Sequence, residues 1–268
     1  MNSRQLAKEI RKKAVEMVYQ ANASHIGGAL SMADILAVLY TDILKFDAEN
    51  PKNPDRDRFI LSKGHCCTSL YAVLALKGFF PVEKLKEYGE DGNFLTSHIS
   101  HHVPGIEISA GSLGHGFPIA CGLAVAAKRK LQNHKIYCIV GDGEMDEGSN
   151  WEALLFGAHH HLDNVCLIID YNKLQGLGST NEVLNLEPLK NKLLAFNWEC
   201  LEIDGHKHDE IKNAFLRFLK NPKPTVIIAH TVKGKDVKFM ENKLMWHYKS
   251  PKIDEYNEAI AEIEKIKI

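Results

Sequence analysis

The sequence predicts an α/β fold: a mainly parallel sheet with helices on both faces. Three observations carry this. Ile136 to Val140 is an apolar run ending on Gly141-Asp142-Gly143; a helix-like segment follows, and a second apolar run, Val165 to Ile169, ends on Asp170-Tyr171-Asn172. This reads as strand, helix, strand. The same order returns later, with strands at Trp198 to Ile203 and Thr225 to Ala229 around a helix at Asp209 to Leu219. The length of 268 residues allows one large α/β domain with a real core. In open parallel sheets ligands bind at the carboxyl ends of strands. Asp142 and Asn172 are therefore expected side by side, offering two hard oxygens suited to Mg²⁺ or Ca²⁺ between protein and substrate phosphates. A dinucleotide fingerprint fails, because the sixth position counted from Gly141 is Asp146 rather than Gly or Ala.

Composition narrows the classes. The net charge of −1 leaves no broad nucleic-acid footprint. No apolar run approaches membrane-spanning length, and the N-terminus is too charged for a signal peptide. The six cysteines form no C-x-x-C pair, which favours buried free thiols in a reducing cytoplasm over disulfides or zinc.

Taken in order, Leu6, Ile10, Ala14, Met17, Val18 and Ala21 form the stripe of a first helix. Ser24 to Leu30 reads as a Gly-rich turn. Ser31 with Asp34 reads as a capping box, Asp standing in the usual Glu place, opening a helix to about Leu44. A polar loop covers Asp47 to Asp57, and Arg58 to Leu61 is a short strand ending in Ser62-Lys63-Gly64-His65. Helices are expected at Thr68 to Leu76 and Val82 to Tyr88. Gly89 to Gly105 is aperiodic and contains His98, His101 and His102, which lack the carboxylate and helical spacing of a zinc site. Gly111 to Gly116 opens a small-residue helix, Ile119 to Lys130, whose amino end would offer N–H groups to an anionic or polar group. Glu147 begins the next helix, which His159-His160-His161 ends. Gly176 to Asn185 is a polar loop, and Glu187-Pro188 starts a further helix. Lys233-Gly234-Lys235 could cradle an anion but is no P-loop. Phe239 to Pro251 has the character of a loop covering a site, and an amphipathic tail helix starts at Asp254.

Gly141-Asp142-Gly143, with Asn172 thirty residues beyond Asp142 and after an apolar strand, is similar to the thiamine diphosphate motif of the transketolase family. The resemblance implies that Asp142, Asn172 and the main-chain carbonyl of Leu174 hold the metal, and that the metal holds the diphosphate. Gly114, Gly143 and Glu144 are placed with the cofactor. Ser24-His25-Ile26-Gly27-Gly28 and Leu61-Ser62-Lys63-Gly64-His65 resemble the family's first two motifs, which implies substrate contact for His25 and a place near the diphosphate for His65. Pro104-Gly105-Ile106-Glu107 and the Gly-rich loop after it resemble another family stretch. There the active-site His lies six residues before the Pro, at His98 here; the family's Gly-His-Pro is Ser97-His98-Ile99 in this chain, and His101 is the lesser alternative. Phe239-Met240-Glu241-Asn242 and Trp246-His247 are similar to the covering loop of split transketolases, which nominates His247 for substrate. Glu147 has two readings: a first-turn Glu complementing the helix dipole, or a residue facing a partner Glu across a subunit interface.

The resemblance spans about residues 4 to 252, and implies that residues 1–268 form one thiamine diphosphate-binding domain with a helical tail at 253–268. Full-length relatives add a pyrimidine-binding domain, whose Glu activates the cofactor, and a C-terminal domain. The implied protein is the N-terminal subunit of a split transketolase, moving a two-carbon ketol unit between sugar phosphates. It would work with a separate C-terminal subunit in a heterotetramer with two copies of each. Rival readings are a subunit of another thiamine diphosphate enzyme, of the 1-deoxyxylulose-5-phosphate synthase or 2-oxo acid dehydrogenase kind, and a non-catalytic cofactor-binding module.

Overall fold

The computed structural model describes residues 1–268. Five strands form one sheet: β1 (Arg58–Leu61), β2 (Ile136–Gly141), β3 (Val165–Tyr171), β4 (Glu199–Asp204) and β5 (Thr225–His230). Their order is β1-β2-β3-β5-β4, and every neighbouring pair is parallel. β3 is central, with all seven of its residues buried. Burial on both faces is why its sequence is a continuous apolar run rather than an alternating one.

Successive strand residues point to opposite faces and divide the core in two. Phe59, Leu61, Tyr137, Ile139, Cys166, Ile168 and Ile227 share one cluster with α1 (Ser3–Gln20), α3 (Ala33–Val38), α4 (Cys67–Leu76) and α9 (His208–Lys220). Ile60, Ile136, Cys138, Val140, Val165, Leu167 and Ile169 share the other with α5 (Gly116–Arg129), α6 (Gly148–His159) and α8 (Leu189–Ala195). The expected three-layer arrangement is therefore present. No helix is long and apolar enough to cross a membrane.

A third cluster joins the ends of the chain. Ala14, Val15 and Val18 of α1 pack with Ile26 and Leu30 of α2 (Ile26–Ser31), with Val237, Met240 and Trp246, and with Ala259 and Ile263 of α10 (Ile253–Glu264). Tyr19 stacks on Tyr256 at 4.3 Å between ring centroids. The Lys238 N–H donates to Glu262 at 2.6 Å. α10 thus anchors the segment that carries His247.

Several local expectations differ from what the structure shows. The Gly-rich stretch after His25 is the helix α2, not a turn. Its glycines serve close packing instead: a Cβ on Gly28 would lie 2.7 Å from Cys66 Sγ. Ser31 is not an N-cap. It ends α2, and its hydroxyl donates to Gly28 O at 2.9 Å and to Asp170 at 2.6 Å. Asp34 likewise turns away from capping, toward Arg11, His206 and His208. Val82–Glu87 is a 3₁₀ turn rather than an α-helix. α6 starts at Gly148 with Glu147 as its N-cap, after a 3₁₀ turn at Gly143–Asp146. Inside the expected polar loop lies α7 (Thr180–Val183), opened by a capping box of Ser179 and Glu182.

Candidate active site

The carboxyl ends of β2 and β3 lie side by side, Gly141 pairing with Asp170. Residues just beyond both ends line a cavity of about 320 Å³ that takes in Asp142, Gly143, Glu144, Asn172 and Leu174. The same cavity holds His25, His65, His98 and His247. Segments far apart in the chain thus converge on one space.

The oxygens of Asp142 and Asn172 are held by the main chain. Asp142 Oδ1 accepts the Gly143 N–H at 2.7 Å, and Oδ2 accepts the Lys173 N–H. Asn172 Oδ1 accepts the Leu174 N–H at 3.1 Å. Burial raises the Asp142 carboxyl to about 6, the charge of Asp170 adds to this, and the two backbone bonds oppose it. A buried carboxylate in that state gains from a cation. With Asn172 Oδ1 and the Leu174 carbonyl, it makes a hard-oxygen donor set that fits Mg²⁺ or Ca²⁺.

Beneath these oxygens runs a buried ion pair. Lys63 Nζ donates to Asp170 and, at 3.2 Å, to Gly28 O. Asp170 also accepts from the hydroxyls of Ser31 and Thr231. Burial works against both charges, but each holds the other ionised: Lys63 above the usual lysine value and Asp170 below the usual carboxylate range. A second buried cation, Lys233, reaches Leu174 O at 2.8 Å and His247 Nδ1 at 3.1 Å. Burial lowers Lys233 to about 8, and the charge of Lys63 adds to the effect. Between them the walls offer an oxygen set for a cation and an ammonium for an anion.

Glu144 and Gly114 form a brace. The Glu144 carboxylate accepts the Gly114 N–H at 2.9 Å, the Gly141 N–H at 3.3 Å and the Ser62 hydroxyl. Gly116 N–H donates to Ser62 Oγ at 3.0 Å. Gly116, the first residue of α5, and Gly114 before its N-cap thus give their N–H groups to these side chains. Gly114 has φ +80°, and a Cβ there would sit 2.6 Å from Glu147 Cβ, so only glycine fits. Of this loop, Gly111 and Leu113 line the cavity and Gly114 does not.

The histidine rings pack edge to face. His25 lies 5.1 Å from His65, 5.0 Å from His247 and 6.0 Å from His98 between centroids. The His25 main-chain N–H donates to His247 O at 2.9 Å, tying the first turn to the covering loop. An ammonium has only protons to give, so Lys233 fixes His247 Nδ1 as an acceptor and leaves the ring proton of the neutral imidazole on Nε2. His101 lies apart from this group, exposed, bonded to Ser109 and tilted against His102. Glu147 is exposed, makes no side-chain capping bond and does not line the cavity.

Burial lowers His25 to about 4 and His247 to about 3, with the positive charge of Lys233 adding in both. His65 is held well below its ordinary value by the same causes, burial first and Lys63 next. The imidazoles are therefore neutral near pH 7. Their folded values lie below the unfolded value of about 6.5, so on acidification the unfolded chain takes up protons that the folded chain refuses. Stability is expected to fall as the pH drops from about 6.5 toward 4. The urea midpoint should be lower at pH 5 than at pH 7.5, and His247→Phe should narrow that difference; an equal gap in the variant would contradict the assignment.

Residues 2–261 match the family described as transketolase, thiamine diphosphate binding domain. The chain belongs to this family. It is 43% identical over 256 residues to one subunit of the apulose-4-phosphate transketolase of Phocaeicola vulgatus, covering 95% of this chain and 91% of that one. It is also 43% identical to the 6-deoxy-6-sulfo-D-fructose transketolase subunit SqwG of a Clostridium species, covering 97% and 95%. The solved transketolase of Campylobacter jejuni superposes with a TM-score of 0.91 at 34% identity, over 97% of this chain and 43% of that structure. The Leishmania mexicana transketolase gives 0.93 at 27%, over 98% and 41%.

Sequence reasoning passed over Lys63, Asp170 and Gln175 in this transketolase-family site. Lys63 stood in the open beside His65 at a strand end. Asp170 is a carboxylate inside an otherwise apolar strand, and such a group needs a buried partner. Gln175 lines the cavity and donates to Asp146 at 2.9 Å; nothing in its sequence context marked it.

Proposed function

We propose that this chain is the thiamine diphosphate-binding subunit of a transketolase that transfers a two-carbon ketol unit from a ketose phosphate to an aldose phosphate. The observation that carries this reading is the convergence of Asp142, Asn172 and Leu174 oxygens with four histidines on one cavity. The donor set fits a divalent ion on the diphosphate, and the Lys233 ammonium fits the diphosphate itself. Thiamine diphosphate, when bound, supplies the nucleophilic carbon and the electron sink for cleaving the C2–C3 bond of a ketose.

The chain's own residues do the rest. Asp142, Asn172 and the Leu174 carbonyl hold the metal. His65 lies on the diphosphate side. His25 and His247 serve the sugar end, where a neutral imidazole moves a hydroxyl proton near pH 7. With its proton on Nε2, His247 donates a hydrogen bond to a sugar oxygen, which leaves His25 as the better base. His98 steadies a hydroxyl at the reacting carbon. Gly143 and the brace of Glu144 and Gly114 keep the metal turn in shape.

A partner completes the site. Two relatives that match over more than nine-tenths of their length are named as transketolase subunits. A separate C-terminal subunit would bring the pyrimidine-binding domain and its activating Glu, in a heterotetramer with two copies of each chain. Glu147 at the exposed start of α6, with Leu155 and Phe156 exposed on the same helix, suits a subunit contact. Six buried free thiols suit a reducing compartment such as the cytoplasm.

The test is reconstitution. The purified chain with magnesium and thiamine diphosphate should show negligible turnover of ketose phosphates, and adding the pyrimidine-binding subunit should restore it. Full turnover by the isolated chain would overturn the split site. Use of pyruvate in place of a ketose phosphate as donor would move the assignment to another thiamine diphosphate enzyme.

A further inference from the structure

His206, in the turn after β4, lies outside the cavity but is wired to its wall. Its Nε2 accepts the Val232 N–H at 2.9 Å. That bond puts the ring proton on Nδ1, which donates to Asp34 at 2.8 Å. Asp34 is a buried hub. It also accepts two bonds from the Arg11 guanidinium, at 3.1 and 2.6 Å, and one from His208 at 3.0 Å. Burial opposes the charge on Asp34, and Arg11 with the two histidines outweighs it, holding the carboxyl well below its usual range.

The hub grips both ends of one short segment. Val232 is held through His206. Asp236 is held by Arg11, whose Nε lies 3.1 Å from Asp236 Oδ2 as an ion pair without an aligned hydrogen bond. Between these two points lies Lys233, whose ammonium enters the cavity. The segment is close-fitted elsewhere too: Gly234 N–H donates to Gly27 O at 2.9 Å, and Asn242 N–H donates to Lys233 O at 2.8 Å.

We propose that His206 is a positioning residue: it fixes the main chain at Val232 and so sets how far the Lys233 ammonium reaches into the cofactor cavity. This rests on the reading that the cavity holds a diphosphate. No other group supplies the Val232 N–H with an acceptor, so losing His206 Nε2 frees the main chain one residue before the lysine. Replacing the ring with a side chain that satisfies Asp34 alone separates holding the fold from holding the lysine.

His206→Asn is that replacement. Its amide nitrogen can take the place of Nδ1 toward Asp34, while nothing remains to accept from Val232. Calorimetric titration of the chain reconstituted with the pyrimidine-binding subunit, using thiamine diphosphate and magnesium, should show Kd raised on the order of tenfold, the low end of what losing a supporting partner costs a binding group, with Tm lowered by no more than a few degrees for the unpaired Val232 donor. In a Lys233→Met background the same change should alter Kd less than twofold, because the effect travels through the lysine. His206→Ala, which removes the acceptor without supplying another, serves as a second variant, judged by the same two ratios, if the asparagine variant does not fold. A Kd within twofold of the parent, or an equal weakening in the Lys233→Met background, overturns the inference. A parent complex that binds no cofactor overturns the diphosphate reading itself; a parent complex that binds while the His206→Asn complex binds equally well overturns the positioning role alone.

Discussion

Asp142→Ala is expected to weaken uptake of magnesium and thiamine diphosphate by at least about a hundredfold, read by calorimetric titration. Supporting groups around a metal typically cost ten- to a hundredfold when removed, and Asp142 is the one carboxylate in the proposed donor set. The companion measurement is stability without ligand. Burial and the charge of Asp170 both work against ionised Asp142, so the group is held at a cost to the fold. Removing it should leave the unfolding free energy of the ligand-free chain nearly unchanged, since two backbone bonds are lost while a strained charge is relieved. Unaltered binding by the variant would end the metal-site reading. Lost binding together with a collapse in stability would reduce Asp142 to a structural turn residue.

The second large effect is on stability. Lys63→Met should lower the unfolding free energy by about 3–5 kcal/mol, the usual range for stripping one partner from a buried ion pair. Asp170 is completely buried in the central strand, and without Lys63 only two hydroxyls face it. Urea unfolding near pH 7 measures the loss, and a change below about 1 kcal/mol would show that the pair is not what holds the strand ends together. Adding Asp170→Leu should recover much of the stability but not cofactor uptake. Both outcomes follow from the pair's place, directly beneath the oxygens of Asp142 and Asn172.

The large features of this fold were legible because they rest on local periodicity. The runs at 136–140 and 165–169 announced adjacent parallel strands, and parallel strands bring Asp142 and Asn172 together by geometry alone. The misreadings came where tertiary contacts override local chemistry. Ser31 and Asp34 have the spacing of a capping box, but Asp170 and Arg11 outcompete the helix end for them. Gly27 and Gly28 have the composition of a turn, but their missing side chains admit Cys66 and the stem of Lys233. Lys63 and Asp170 are separated by 107 residues, and no window of sequence shows one to the other. His98 rather than His101 reaches the cavity because the loop's course is set by main-chain bonds such as Ile99 N–H to Gly64 O at 3.3 Å.

The main-chain link from His25 to His247 closes a ring through most of this sequence. A ring of that span cannot be assembled in pieces. The ribosome must release the covering loop before the first histidine finds its mate, so a nascent chain, or one clipped ahead of that loop, has the sheet but a cavity without the His247 wall. Closure of that cavity is therefore a report on synthesis carried past His247.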